Sequence, residues 1–129
     1  MPIAKIIKVI DASALAAIVF GEPEAAAIHA RFDGSRLAAP ALLAFELANV
    51  CLVKMRRHPK QRASILGAFM AARNAAIETL AVDHAGVVEL AETMGLTAYD
   101  ASYLWLARHL GGELITLDGQ LMKAAAALE

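Results

Sequence analysis

An α/β domain, with a parallel sheet covered on both faces by helices, is what the amino-acid sequence predicts. Two observations carry it. Short Ile/Val-rich runs alternate with longer stretches of helical periodicity, which is the pattern of repeated βα units. The 129 residues also suffice for one domain with a real core. No repeat, linker or low-complexity tract divides them, apart from Ala124–Ala127. Residues 1–129 are therefore read as a single domain.

The first strand is expected over Ile6–Ile10, with Asp11 at its tip and a helix over Ser13–Phe20 that Gly21 stops. Pro23 suits the first turn of a second helix running to about Phe32. Asp33-Gly34 marks a turn, and Arg36–Ala39 a short strand. Pro40 opens a helix over Ala41–Arg57, which Pro59 breaks before another over Lys60–Asn74. Ile77–Val82 reads as the third strand. Asp83 suits an N-cap, because Val87, Leu90, Ala91 and Met94 follow at helical spacing, and Gly95 ends that helix. Thr97 opens the helix Ala98–Leu110, closed by Gly111-Gly112. A fourth strand, Glu113–Leu117, a turn at Asp118-Gly119 and a helix over Leu121–Leu128 complete the chain.

Composition narrows the function classes. Twelve Lys and Arg against 13 Asp and Glu leave a net charge of −1, so a polyanion partner would need a local basic patch. The apolar fraction of 59% exceeds the usual ~45–50%, which reflects Ala-rich helices and leaves room for a surface that a second subunit covers. No apolar run approaches the ~20 residues of a membrane span, and the N-terminus lacks a secretory pattern. One cysteine, Cys51, suits a reducing cytoplasm. His29, His58, His84 and His109 are scattered, which argues against zinc.

Four acids stand out. Asp11 and Asp118 each end a strand and precede a helix, and Asp100 follows Thr97 in a Thr-x-x-Asp pattern. Helix capping would explain any of these three singly. Glu46 lies mid-helix, where Leu42, Asn49, Val50 and Val53 share its face, and it interrupts an apolar stripe. A buried unpaired carboxylate is costly. One cause covers all four better than separate ones. Strand C-termini and helix N-termini lie along the same edge of a parallel sheet, so the acids can converge there. Converging carboxylates repel and raise one another's pKa unless a cation intervenes. An oxygen-only donor set suits Mg²⁺ or Mn²⁺. Such an ion activates water and steadies a phosphodiester under attack, so the acids point to metal-assisted hydrolysis.

The chain resembles the PIN-domain nucleases, and among them the VapC toxins of toxin–antitoxin pairs. The likeness runs from Ile6 to about Leu121. It is carried by Val9-Ile10-Asp11-Ala12-Ser13-Ala14-Leu15, Ala39-Pro40-x-x-Leu43-x-x-Glu46-Leu47-Ala48-Asn49, Leu96-Thr97-x-x-Asp100-Ala101-x-Tyr103-Leu104-x-Leu106-Ala107 and Leu114-Ile115-Thr116-x-Asp118. Each motif is loose alone; four in the family's order are specific. The resemblance implies a three-layer α/β/α fold with four or five strands. It implies a Mg²⁺- or Mn²⁺-dependent endoribonuclease, usually a homodimer, that cuts cellular RNA when its antitoxin is absent. The family's acidic quartet falls on Asp11, Glu46, Asp100 and Asp118, as catalytic residues and metal ligands. Ser13, Asn49 and Thr116 match positions that support those acids. The family commonly adds a strand after the last helix. Here the chain stops at Ala127-Leu128-Glu129, a departure that puts that sheet edge, but none of the acids, in doubt.

Two surfaces add expectations. Lys54, Arg56, Arg57, His58, Lys60 and Arg62 gather around Pro59, either as nucleic-acid contacts or as a solvated helix end whose cations suit the dipole. Tyr99, Tyr103 and Trp105 could stack on bases, although core or dimer packing suits their helical spacing better. The competing functions are three. A haloacid-type phosphatase wants an Asp where this chain has Ser13. A DNA nuclease would share the fold. A protein-binding PIN-like scaffold would be expected to lose acids that this chain keeps.

Overall fold

The computed structural model describes residues 6–128. Its order is β1 (Ile7–Ile10), α1 (Ala12–Val19), α2 (Ala25–Phe32), β2 (Arg36–Ala39), α3 (Leu42–Arg57), a 3₁₀ turn (Pro59–Gln61), α4 (Arg62–Ala72), β3 (Ile77–Thr79), α5 (His84–Met94), α6 (Ala98–Leu110), β4 (Leu114–Ile115) and α7 (Gly119–Ala127). The strands form one four-stranded sheet in the order β3-β2-β1-β4, with every pairing parallel. The α/β class with a parallel sheet is as the sequence predicts, at four strands among the described residues.

The sheet's interior explains why β1 is the central strand. Val9 and Ile10 are fully buried, flanked on one side by Ala38 and Ala39 of β2 and on the other by Leu114 and Ile115 of β4. Strands covered on both faces read as unbroken apolar runs, which is why Ile6–Ile10 stood out. The rest of the core comes from Leu15, Leu43, Leu47, Tyr103, Leu106 and Leu121 on the covering helices.

Several boundaries differ from expectation. β3 stops at Thr79 instead of Val82, because it pairs only with β2, whose ladder ends at Ala39 before Pro40. β4 shrinks from Glu113–Leu117 to two residues, matched to the last two of β1. Pro23 precedes α2, which starts at Ala25. Pro59 lies in a 3₁₀ turn, so α4 begins at Arg62. Asp118-Gly119 is a helix start and no separate turn: Asp118 caps α7, and Gly119 is its first residue. Asp83 stands at the N-cap of α5 but makes no side-chain cap bond. Gly95 and Gly111 close α5 and α6 in the left-handed conformation.

The face of Glu46 also differs. α3 buries Leu43, Leu47 and Cys51, one stripe at i, i+4, i+8. Glu46 flanks that stripe on the rim, with Leu42 and Val50 half-buried beside it and Asn49 exposed. The carboxylate therefore borders the core without interrupting it.

Candidate active site

Asp11 is built into the end of β1. Its backbone N–H donates to the Ile115 carbonyl of β4 at 3.1 Å, and its side chain, 5% exposed, caps α1 by accepting from the Ala14 N–H at 3.0 Å. The Ser13 hydroxyl donates to the same oxygen at 2.7 Å, and the Thr116 hydroxyl donates to the other. Thr116 is 1% exposed and stands where β4 leaves the ladder, so the short strand is what frees it to reach Asp11. Two further amides bind this cluster: Leu117 N–H to Ser13 Oγ at 2.9 Å, and Asp118 N–H to Thr116 Oγ1 at 3.0 Å. The ends of β1 and β4 are thus one hydrogen-bonded unit.

The other three acids arrive from three helices. Asp118 caps α7 through the Leu121 N–H at 2.8 Å. In α6 the cap is made by Thr97, whose hydroxyl oxygen accepts from the Asp100 N–H at 3.1 Å; the Asp100 carboxylate in that first turn benefits from the positive helix pole. Glu46 accepts a hydrogen bond from the Tyr103 hydroxyl at 2.5 Å. Tyr103 is 1% exposed, and burial followed by the Glu46 carboxylate raises its phenol far above the ordinary value, so it remains a donor.

Electrostatics ties the four together. Burial raises the Glu46 pKa; the Tyr103 bond opposes this, and the charges of Asp100 and Asp11 raise it further. Burial likewise raises Asp100, with Asp118 and then Asp11 adding to it and the Thr97 bond opposing. Helices distant in the chain therefore present carboxylates that feel the acids at the ends of β1 and β4. The donor chemistry suits a hard divalent cation: oxygen only, and mutually repelling. Among the described residues, no three His, Cys, Asp or Glu side chains stand as a group ready to hold an ion. Existing bonds account for part of this spread, since Asp11 is held by Ser13 and Thr116, Glu46 by Tyr103, and Asp118 by Leu121.

A family model for the PIN domain matches residues 8–127. The chain belongs to the PIN domain family. PIN domains are usually nucleases, and those nucleases typically use divalent metals. The crystal structure of PAE2754 from Pyrobaculum aerophilum is similar to this PIN domain at a TM-score of 0.75 and 25% identity, over 95% of this chain and 92% of that one. No curated protein sequence matches the chain.

The remaining expected residues are dispersed around this PIN domain. Asn49 lies beside Glu46 in a shallow 340 Å³ cleft with Phe45, Val50 and Tyr99, and is exposed. Ser13 and Thr116 hold Asp11 directly. Lys54 is engaged with Glu22 at 3.0 Å and lies over the Phe20 ring. Arg56, Arg57, Lys60 and Arg62 are exposed at the far end of α3. At 1.5 Å per residue, Arg56 is about 15 Å along the helix axis from Glu46, so these cations do not join the acids. The aromatics separate as well: Tyr99 is 65% exposed, Tyr103 is core, and Trp105 stacks on His109 with ring centroids 4.8 Å apart. Tyr103 as the partner of Glu46 went unseen in the sequence. Its only signal there was its place at i+3 from Asp100, on the same face of the helix.

No helix is long and apolar enough to cross a membrane among the described residues.

Proposed function

We propose that this PIN domain is a dication-dependent endoribonuclease of the VapC toxin kind, a cytoplasmic homodimer restrained by a cognate antitoxin protein. One observation supports the reading: Glu46 on α3 and Asp100 on α6 are both raised chiefly by burial, and the charge of Asp11 at the end of β1 adds to each. Acids on separate elements feel one another's charge, a repulsion that a small divalent ion would relieve.

Asp11, Asp100, Asp118 and Glu46 would hold Mg²⁺ or Mn²⁺. Bound there, the ion supplies Lewis-acid activation of a water and charge neutralisation on the phosphodiester. The chain's own residues do the positioning. Ser13, Thr116 and the Ala14 amide fix both oxygens of Asp11, and Tyr103 fixes one oxygen of Glu46. Asp100 and Asp118 sit at helix N-termini, where the dipole favours their charged form. Asn49, which lines the same cleft as Glu46, would support that carboxylate. The choice of RNA over DNA, and the antitoxin, rest on the motif resemblance to the VapC toxins.

The test is direct. Wild type and Asp100→Asn are incubated with RNA in Mg²⁺, in Mn²⁺ or in EDTA. Cleavage is expected only from the wild type with a divalent ion. Cleavage that persists in EDTA, or survives the substitution, would defeat the metal mechanism. A purified wild type that cuts nothing with either ion would favour the protein-binding scaffold.

A further inference from the structure

The stretch between Glu46 and Glu78 contains no acidic residue, yet it holds Lys54, Arg56, Arg57, Lys60, Arg62 and Arg73. Half of the chain's 12 cations therefore fall where none of its 13 acids do. In the fold this stretch is the C-terminal part of α3, the 3₁₀ turn and α4. Ion pairs among the described residues engage Lys8, Arg31, Arg36 and Lys54. Arg56, Arg57, Lys60 and Arg62 have none there, and all four are exposed.

Helix-dipole compensation accounts for only part of this cluster. Arg56 and Arg57 occupy the last turn of α3, where positive charge is favourable. Lys60 lies beyond it in the 3₁₀ turn, and Arg62 is the first residue of α4, whose first turn holds no acid and whose N-cap makes no side-chain bond. Positive charge there opposes the dipole. A cluster whose like charges repel, and whose Arg62 is unfavourable to its own helix, is stabilised by an external polyanion.

Without a bound ion the acid edge offers RNA no affinity: carboxylates that repel one another repel a phosphodiester too, so binding in metal-free protein must come from elsewhere. We propose that Arg56, Arg57, Lys60 and Arg62 form a phosphate-binding face that grips the RNA backbone, beginning about 15 Å along the α3 axis from Glu46, independently of base sequence. At ~3.4 Å per stacked nucleotide, the strand must extend roughly four nucleotides from the cut to reach it. The inference rests on the nuclease reading and adds to it a minimum RNA length for tight binding.

Fluorescence anisotropy in EDTA, between about 50 and 200 mM salt, measures binding to an RNA of a dozen nucleotides. The variant is Arg57→Gln/Lys60→Gln/Arg62→Gln. Losing three phosphate contacts reduces the slope of log affinity against log salt by about 2. The single variants Lys60→Gln and Arg62→Gln each reduce it by about 0.7, and they serve if the triple variant melts early. Cleavage of a trinucleotide in Mg²⁺ is unchanged in the variants. An unaltered slope overturns the face, as does loss of binding to an acidic polypeptide with RNA binding intact. Wild type that binds RNA steeply yet cleaves nothing leaves the face standing and removes the nuclease reading. Wild type that cleaves, with variants of equal slope, removes the face alone.

Discussion

Tyr103 sets the posture of Glu46. Its hydroxyl is buried, stays protonated and has the carboxylate as its acceptor. Tyr103→Phe keeps the ring's packing and deletes the donor, so stability at pH 7 should fall by about 1.5–3 kcal/mol in denaturant unfolding. Glu46 loses the one influence that lowers its pKa, and a carboxyl NMR titration should find it higher still. The same reasoning gives a pH dependence. Glu46 and Asp100 bind protons more tightly folded than unfolded, so they oppose folding above their raised folded values. That penalty fades as pH falls toward the ordinary 4.5 and 3.8. Glu113 runs the other way: the Arg31 hydrogen bond, chiefly, holds its carboxyl low, so its contribution is present above 4.5 and is lost as pH falls through its folded value. Asp100→Asn should therefore raise the melting temperature at pH 7 in metal-free buffer, with the gain vanishing as pH falls below about 4. A melt at each pH decides it.

Among the elements, glycines report which helices sit against something solid. A Cβ at Gly112 would run into the Ile7 carbonyl oxygen, a backbone atom of the central strand that cannot swing aside. Gly112→Ala should cost about 3 kcal/mol, because the connection from α6 to β4 would have to move away from β1. Gly86 in α5 is tight against the Trp105 indole, 2.6 Å from a would-be Cβ, and Gly86→Ala should cost about 1–2 kcal/mol by forcing Trp105 off His109. Gly67, mid-α4, has open space, and Gly67→Ala should stabilise by about 0.5–1 kcal/mol. Thermal unfolding of the three variants ranks them. Arg36–Ala39 and Ala98–Leu110 were legible to the residue, since Gly34, Pro40, Thr97 and Gly111 mark their ends chemically. β3 and β4 were not. Their lengths are set by how far β2 and β1 extend beside them, a property of the neighbour and not of the strand.

For the whole molecule, a dication that binds only the folded state must raise its stability. At a hundredfold excess over its dissociation constant, Mn²⁺ should add about 2.7 kcal/mol, reversed by EDTA and diminished in Glu46→Gln. Calorimetry with and without the ion measures this without reference to cleavage. Charge is divided across the molecule too, with acids at the C-terminal edge of the sheet and, at the far end of α3, cations that form no ion pair among the described residues. The α/β class and the order of elements were written in the chain, because periodicity, capping residues and breakers act within a few neighbours. The acids Asp11, Asp100 and Asp118 could be picked out for the same reason, from their places at strand ends and helix starts. Tertiary structure alone decided that Thr116 turns out of β4 onto Asp11, that Glu46 stands on the rim of α3 with Tyr103 as its donor, and that the cations lie a helix length away. Those outcomes depend on contacts between residues as many as 105 positions apart, and no local pattern encodes them.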